Sequence, residues 1–459
     1  MNKPSTGRRR TARLGACAAA AGLVTVGLTA GPAFADSDQL WISSSPYELV
    51  LPRTAAGVDL PATTLTLGLS HDNSDFRVTD GRITVDVSGL AGIAVVDWPA
   101  ACAPAPSGTS AECAVDEVTG TGNASATPLK LAVRAAAGAA DGASGRISYT
   151  AKATTTGEGG QLVAENWGTV RVASGPDLVL DRTAPVTGVA PGATVPVPVS
   201  VTNRGDQAAQ GVRATFYVTR GLTLNLGGLA PKCVSTPIGE GGPGSGAIKP
   251  LTKVECVVDT VVQPGGTFPL PAALTAKAAR FALAERIDIG VEAATGPADI
   301  QPENNGDVLA VGVTNTADFA VTGARLTAAA GETVTAPVTF RNRGPAWVAN
   351  LTSGDPVAKV DVTVPRGATV TTVPDGCEPR TADGGWWESE TRTGAPRYEC
   401  GLPLWVAERQ TVTFPFGLRV DTVVKAAKGE VVLKPSYGTQ RPVFDPNAGN
   451  ERARLVLNP

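Results

Sequence analysis

Short runs that alternate apolar and polar residues recur along this chain, separated by Gly, Pro, Asn or Asp. Alternation at period two is typical of a strand with one buried face, and the separating residues favour turns. In residues 175–314 the runs are LVLDR, VPVSVTN, VRATFYV, LTLNL, KVECVVD, TFPLPAALTA, RIDIGVEA and VLAVGV. One stretch has helical character instead: Ala276–Glu285, AKAARFALAE, predicts a connection with one helical turn. The pattern as a whole predicts an all-β chain.

One alternating stretch occurs twice. Val195–Gly205 reads VPVPVSVTNRG, and Val334–Gly344 reads VTAPVTFRNRG, 139 positions later. Pro198 and Pro337 hold equivalent places, and a proline cannot donate to a sheet ladder, so we expect an edge strand or a strand end. Asn and Gly adopt positive φ readily, so the closing N-R-G predicts the turn that leaves the strand.

A third, divergent copy emerges when later landmarks are aligned. Glu165–Gly168 (ENWG), Glu303–Gly306 (ENNG) and Asp445–Asn450 (DPNAGN) each precede a last strand-like run, with a period of about 140 residues. We expect a signal peptide at 1–35, a divergent domain at 36–174, and further domains at 175–314 and 315–459. Regular short strands with such turns predict three tandem immunoglobulin-like β-sandwich domains. The junctions are short, which predicts a semi-rigid rod.

The N-terminal residues predict export. Arg8–Arg10 and Arg13 form a basic region, Ala16–Ala30 is weakly apolar, and Ala33–Ala35 places small residues where a signal peptidase cleaves. The apolar run is too short and too rich in alanine for a stable membrane span. General or twin-arginine export both remain open. With no C-terminal sorting motif, we expect a protein that is released or held non-covalently at the cell envelope.

Charge excludes two classes of partner. Removal of residues 1–35 takes away five basic residues and no acids, which leaves 34 basic residues, 42 acids and a net charge of −8. An acidic chain with scattered lysines is a poor candidate for binding nucleic acid or an anionic membrane.

Six cysteines remain after the signal, two in each repeat. They are Cys102 and Cys113, Cys233 and Cys256, and Cys377 and Cys400. An even count, an exported chain and one pair per repeat predict three intradomain disulfides. A metal site is disfavoured because no His accompanies any pair, and a redox site because no C-x-x-C occurs.

These features together resemble the bacterial surface-repeat domains classed as a domain of unknown function, and the related bacterial cell-adhesion repeats, in a secreted actinobacterial-type protein. The matching segments are Val199–Gly205, Thr219–Thr223, Val262–Phe268, Gln301–Asn305, Arg341–Gly344, Val364–Thr369 and Asp445–Asn450, besides the cysteine pairs. The resemblance covers about two-thirds of the mature chain. It implies immunoglobulin-like sandwiches used as spacers or adhesive modules outside the cell, and it brings no shared active site.

The sharpest candidate site is Trp386-Trp387, beside Glu388 and Glu390, in a polar segment between Cys377 and Cys400. Two adjacent indoles could stack on sugar rings or anchor a protein partner. The alternative is that one or both fold back to cap the sandwich.

Catalysis and metal binding have weaker signals. His71 is the sole histidine, in HDNSD, which has the composition of a polar turn. Glu388 and Glu390 form a carboxylate pair of the kind that a glycosidase uses, but in a loop without a scaffold to fix their spacing. The loops Glu303–Asp307 and Asp445–Glu451 could bind Ca²⁺, although Asx-rich turns that satisfy their own backbone are commoner.

We therefore expect a secreted, monomeric, non-catalytic structural or adhesion module without cofactor or metal. Its partner would be an unknown protein or a cell-envelope polysaccharide. The alternatives are a carbohydrate-binding protein that uses the Trp386/Trp387 loop, and an extracellular hydrolase.

Overall fold

The computed structural model describes residues 38–54, 60–115, 118–120, 128–157, 159–181, 183–239, 250–270, 274–351, 355–436 and 442–459. The predicted signal peptide at 1–35 lies outside the described residues. The described chain is built from strands, with four short 3₁₀ turns at Ser88–Leu90, Gly227–Lys232, Pro302–Asn304 and Ala448–Asn450. The all-β prediction is confirmed.

The strands form three successive units. The first unit contains β1 (Leu40–Ser45), β2 (Glu48–Pro52), β3 (Thr63–His71), β4 (Val78–Asp86), β5 (Ala94–Asp97), β6 (Cys102–Pro104), β7 (Ser110–Val115), β8 (Val118–Gly120), β9 (Leu129–Ala135), β10 (Ser144–Thr155) and β11 (Gln161–Ala173). The second unit contains β12 (Leu178–Leu180), β13 (Val186–Val189), β14 (Thr194–Pro196), β15 (Ser200–Asn203), β16 (Gln210–Thr219), β17 (Leu222–Asn225), β18 (Cys233–Ile238), β19 (Leu251–Val258), β20 (Thr267–Pro269), β21 (Thr275–Ala278), β22 (Ala284–Thr295) and β23 (Gly306–Val313). The third unit contains β24 (Phe319–Thr322), β25 (Arg325–Leu326), β26 (Thr333–Asn342), β27 (Val348–Ala349), β28 (Ala358–Thr363), β29 (Ala368–Thr372), β30 (Cys377–Arg380), β31 (Arg397–Gly401), β32 (Trp405–Val406), β33 (Thr411–Val420), β34 (Ala427–Pro435) and β35 (Arg452–Leu457).

Each unit has the same six-stranded sheet. The strand orders are β2-β11-β10-β4-β7-β6, β13-β23-β22-β16-β19-β18 and β25-β35-β34-β28-β31-β30. In all three the first pair in the order is parallel and the others are antiparallel. The opposing layer is β1-β3-β9-β5 in the first unit and β24-β26-β33-β29 in the third, and in the second it is two three-stranded sheets. Two packed layers with these connections make immunoglobulin-like sandwiches.

Alternating burial along the strands places one apolar face between the layers. In β9 the side chains of Leu129, Leu131 and Val133 are buried while Lys130 and Arg134 are exposed. Three large hydrophobic clusters result, with buried members at residues 40–172, 178–313 and 317–455. The domain boundaries at 174/175 and 314/315 stay a prediction.

The repeated stretch folds differently in its two copies. Val195–Gly205 is divided between β14 and β15, which belong to different small sheets, and Pro198 lies between them. In the third unit the stretch is one strand, β26, which pairs with β33 along most of its length and with β24 only over Thr339–Asn342. Pro337 lies outside the segment that pairs with β24, where no hydrogen-bond donor is required on that edge.

The helical turn predicted in Ala276–Glu285 is wrong. This segment ends β21, makes a turn at residues 280–281 and enters β22. Ala276, Ala278 and Ala282 are fully buried between the layers. The alanines are therefore small side chains that allow close packing, and tertiary contacts override their helical propensity.

The N-R-G motif makes its turn without positive φ, because Asn203, Gly205, Asn342 and Gly344 are absent from the left-handed residues of the described chain. The asparagines act through their side chains instead, which hydrogen-bond to backbone groups of neighbouring segments. Gly205 and Gly344 are required because backbone atoms of another segment lie too close to leave room for a Cβ. A Cβ on Gly344 would lie 2.5 Å from Ala317 Cα, and one on Gly205 would lie 2.1 Å from the Gly175 carbonyl oxygen.

The second and third units meet through side chains from both. Trp347, in the segment after the third unit's N-R-G, is 1% exposed, and its Nε1–H donates to Glu285 Oε1 of the second unit at 2.5 Å. Arg220 of the second unit donates to both carboxylate oxygens of Glu408 of the third, at 2.7 and 3.1 Å. This junction is therefore a packed contact as well as a chain connection.

Candidate functional site

The Trp386-Trp387 segment is carried by the outermost hairpin of the third unit's six-stranded sheet. β30 and β31 pair in register, with Cys377 opposite Cys400, and these two residues form a disulfide. The same arrangement recurs in the first unit, with Cys102 opposite Cys113, and in the second, with Cys233 opposite Cys256. The three predicted disulfides are confirmed. Each joins neighbouring strands of one sheet.

Trp386 projects into solvent. Its side chain is 81% exposed, the second highest exposure among the large apolar residues that are exposed in the described chain. Arg380, at the end of β30, forms an isolated β-bridge with Trp386 and places its guanidinium carbon 4.7 Å from the indole centroid. The cation therefore covers one face of the ring, and the high exposure leaves the other open to a ligand.

Trp387 turns the opposite way. It is half-buried, packs against the third hydrophobic cluster, and donates its Nε1–H to the Thr391 carbonyl oxygen at 3.0 Å. The two adjacent indoles thus divide the two roles that the sequence left open, with Trp387 capping the sandwich and Trp386 exposed. Ligand binding at Trp386 stays a prediction.

Arg380 is itself held by an ion-pair network on the outer face of the sheet. Glu399 on β31 accepts from Arg380 at 3.3 Å and from Lys359 on β28 at 2.9 Å. Burial opposes ionisation of Glu399, but these two donors outweigh it and lower its pKa below the usual value. The network fixes the Arg380 guanidinium, so the exposed Trp386 ring packs against an ordered cation.

A second network on the same face surrounds Asp361 of β28. Arg397 donates to Asp361 through its Nε at 2.6 Å, and Lys434 pairs with the same carboxylate. Burial would raise the pKa of Asp361, but the hydrogen bonds from Arg397 and Lys434 prevail and lower it.

Glu388 and Glu390 follow Trp387 in the exposed loop, and neither carboxylate makes a hydrogen bond or ion pair within the described residues. Nothing around them fixes the spacing that glycoside hydrolysis requires of its two carboxyl groups. They contribute negative charge beside Trp386.

His71, the residue on which a histidine-dependent mechanism would depend, is buried at the end of β3 and is 4% exposed. Its Nδ1 lies 3.1 Å from both carboxylate oxygens of Asp38, and the same carboxylate accepts from the Asn73 backbone N–H. The imidazole therefore holds the start of β1 against the turn after β3.

The two loops considered for calcium are tied to the start of their own units. Asn304 Nδ2 donates to Asp177 Oδ1 at 2.9 Å, and Asn450 Nδ2 donates to Asp318 Oδ1 at 2.6 Å. These hydrogen bonds tie a loop near the end of the second and third units to the start of the same unit. Within the described residues no group of three or more His, Cys, Asp or Glu side chains is arranged to bind a metal. Calcium binding stays a prediction.

The carboxyl group of Asp177 makes the contact with Asn304 sensitive to pH. It is 4% exposed, and burial raises the pKa of its carboxyl to about 6, with the Asn304 amide opposing the rise and nearby Asp299 adding to it. The usual value is 3.8. The folded protein therefore binds this proton more readily than the unfolded chain between about pH 4 and 6.

Ionised Asp177 therefore costs at most about 3 kcal/mol of stability at pH 7, and acidification is expected to remove this cost progressively, about half of it by pH 5 and most of it by pH 4. Asp177→Asn should raise the melting temperature at pH 7, and this advantage over the wild type should shrink towards pH 4. Thermal melts of both proteins from pH 4 to 8 measure it. A difference that stays constant over that range would contradict the assignment.

Comparison with known proteins adds little. No family model matches the chain, and no curated protein matches it. A putative membrane-anchored protein from Corynebacterium diphtheriae is 9% identical, with 91% of each chain covered and a TM-score of 0.17. The partial N-terminal region of an enterococcal surface protein is 8% identical, covering 62% of this chain and 95% of that one, with a TM-score of 0.17.

The C-terminal domain of the antigen I/II-family protein AspA of Streptococcus pyogenes is 11% identical, covering 61% of this chain and 98% of that one, with a TM-score of 0.16. Likenesses this weak support no argument about function. Within the described residues, no helix has the length and apolar character to cross a membrane.

Sequence reasoning missed two sets of surface residues. It identified Trp386 but not Arg380, whose place behind the indole depends on a β-bridge that the spacing does not reveal. It also missed a group of exposed aromatic residues in the first unit, which are far apart in the sequence.

Proposed function

We propose that this protein is a non-catalytic structural or adhesion module that works outside the cell. Three disulfide-linked sandwiches support this role, because disulfides persist in oxidising compartments and strengthen exported domains. The packed contact around Trp347 and Arg220 supports a fixed spacing between the second and third units. The module would present its loops to a partner as a monomer, free or held at the cell wall.

One observation favours carbohydrate binding as the specific activity. Trp386 is 81% exposed, yet its neighbours Arg380 and Trp387 are fixed by hydrogen bonds and packing. A rigid exposed indole with one open face is suited to stacking against the C–H face of a sugar ring, at small cost in side-chain entropy. A cell-envelope polysaccharide is therefore the partner that we propose for this loop.

Binding at this loop is expected to depend on Trp386. In pull-downs with isolated cell-envelope polysaccharide, followed by titration of soluble fragments, Trp386→Ala should weaken binding about tenfold, the magnitude of one lost aromatic contact. Its melting temperature should stay close to that of the wild type, because an exposed substitution of this kind changes stability by about 0.5 kcal/mol or less.

Tyr217→Ala is the matched control, since Tyr217 is an exposed aromatic residue on β16 of the second unit, and it should bind like the wild type. Retention of full affinity by Trp386→Ala would exclude the loop as the binding site. Absence of any affinity in the wild type would leave only the structural role.

A further inference from the structure

Aromatic exposure in this protein is concentrated on one side of the first unit. The described chain exposes five large aromatic side chains, and three of them lie here: Trp41 at 55%, Tyr47 at 55% and Trp167 at 40%. Val163, also in this region, is 64% exposed. Contiguous exposed apolar groups on a soluble protein commonly mark a binding surface.

A groove runs between the two layers at this side. It is a cavity of about 560 Å³ between β1, an edge strand of one sheet, and the first half of β11, the second strand of the other sheet. β11 gains its outer partner, β2, only from Thr169 onward, so its earlier residues are unpaired on that edge. Trp41 and Val163 line the groove with apolar surface, and Gln39, Gln161 and Glu165 line it with polar groups.

The strand period extends this surface beyond the groove. Val163, Glu165 and Trp167 are exposed on one face of β11, and the first and last are about 13 Å apart at the usual rise. Trp167 is held in place by Tyr47, whose ring packs edge-on at 5.2 Å, and by Arg146, whose guanidinium carbon lies 4.8 Å from the indole centroid. The result is an aromatic pair, Tyr47 and Trp167, held in place at the end of an exposed strand face that also carries the Glu165 carboxylate.

The charge of the groove selects among ligands. No Lys or Arg lines it, and Glu165 makes no ion pair within the described residues. Asp38, at the rim, is already engaged by His71. A ligand rich in carboxylates or phosphates would meet only negative charge, whereas neutral hydroxyls, amides or an amine would find acceptors.

Addition of an extended peptide to β1 is disfavoured by a specific contact. Strand addition needs the outward backbone groups of the edge strand β1. The Ile42 carbonyl oxygen, in the middle of that edge, already accepts the Asn166 side-chain amide at 2.9 Å. The remaining features, which are flat aromatic surface flanked by amides and a carboxylate, are those that recognise sugar rings.

We propose that the groove between β1 and β11 binds a polysaccharide of neutral or amino sugars, with a ring stacked on Trp41 and hydroxyl or amino groups bound by Gln161 and Glu165. This site is separate from the Trp386 loop and does not depend on it. Two such sites on one chain would favour a long polymer through effective concentration, provided that its length spans both.

The test uses the full exported chain and three probes: cellohexaose as a neutral ligand, glucosamine hexamer as a cationic one and polygalacturonate as an anionic one. Isothermal titration should show binding of at least one of the two hexasaccharides, and no binding of polygalacturonate. Trp41→Ala should weaken hexasaccharide binding about tenfold, and Val163→Ala by a smaller factor. Glu165→Gln should weaken only the glucosamine hexamer, because it removes the charge and keeps an acceptor.

Trp386→Ala separates the two sites. If the groove binds the hexasaccharide, Trp386→Ala keeps the part of the affinity that Trp41→Ala removes. The variant that carries both substitutions then loses the affinity of both sites. Equal hexasaccharide binding by wild type and Trp41→Ala would overturn the groove proposal even if Trp386→Ala reduces binding. Failure of both hexasaccharides at millimolar concentration, or preferential binding of polygalacturonate, would overturn it as well. Melting temperatures near the wild-type value verify that each variant is folded.

Discussion

Replacing Trp347 with alanine is expected to lower the free energy of unfolding of the second and third units by about 3 to 5 kcal/mol. Trp347 is fully buried at the junction, where its ring packs edge-on against Trp405 at 6.3 Å between centroids. Its backbone N–H also donates to the Phe281 carbonyl oxygen of the second unit at 3.0 Å. Truncation would leave a cavity between the two units.

The loss would also affect a buried carboxylate. Glu285 is 2% exposed, and burial raises its pKa, opposed by hydrogen bonds from Thr219, Trp347, Leu283 and Gly221. Trp347→Ala removes one of these four donors. Trp347→Phe keeps most of the apolar contact and loses only the N–H, so it should cost about 1 to 3 kcal/mol, the penalty of a buried carboxyl group left short of a hydrogen bond.

Urea unfolding followed by circular dichroism and calorimetry would measure both effects. In the wild type we expect the second and third units to unfold together, and in Trp347→Ala we expect two separated transitions. Trp386→Ala is the matched control, because it removes the same side chain from an exposed site in the same unit. A Trp347→Ala protein that melts like the wild type would show that the junction contributes no coupling.

The alternation of apolar and polar residues was sufficient to predict the positions of the strands that have one buried face. The long strands β16, β19, β22 and β23 coincide with predicted runs because their side chains alternate between core and solvent. β18 (Cys233–Ile238) was missed because it has no buried residue and therefore no alternation. Its place in the sheet comes from pairing with β19 and from the disulfide, and neither leaves a periodic signal.

The contacts that define the surface sites and junctions could not be predicted, since they join residues far apart in the chain. Arg220 meets Glu408 across 188 positions, and Trp41 shares a groove with residues more than a hundred positions later. The sequence identified Trp386-Trp387 as a candidate because those indoles are adjacent. It could not show which indole is buried, because both have the same chemistry and only the cluster beneath Trp387 distinguishes them.

The N-R-G motif has a clearer physical basis in the structure than in the sequence. Asn342 is fully buried, and its Nδ2 donates to the carbonyl oxygens of Ala346 at 2.7 Å and Ala407 at 3.0 Å. Its Oδ1 accepts from the backbone N–H groups of Gly344 at 3.1 Å and Asp318 at 3.3 Å. One side chain thus satisfies four backbone groups from three separate segments.

Asn203 repeats this network in the second unit. Its Nδ2 donates to the carbonyl oxygens of Gln207 and Val262, and its Oδ1 accepts from the N–H groups of Gly205 and Asp177. The recurrence explains why the motif survives in both copies although the strand before it is continuous in one and interrupted in the other. The asparagine fastens the start of each unit to the turn after β15 or β26 and to a strand connection opposite.

Asn342→Ala is therefore expected to destabilise the third unit by about 3 to 5 kcal/mol, because buried backbone donors and acceptors lose their partners. Asn342→Asp has nearly the same volume but presents an acceptor to two carbonyl oxygens, so it should cost at least as much at neutral pH. Arg343→Ala, in the exposed middle position of the same motif, should change stability by about 0.5 kcal/mol or less. Chemical denaturation of the three variants provides the comparison. If Asn342→Asp were as stable as the wild type, the amide donors would not be what holds the motif together.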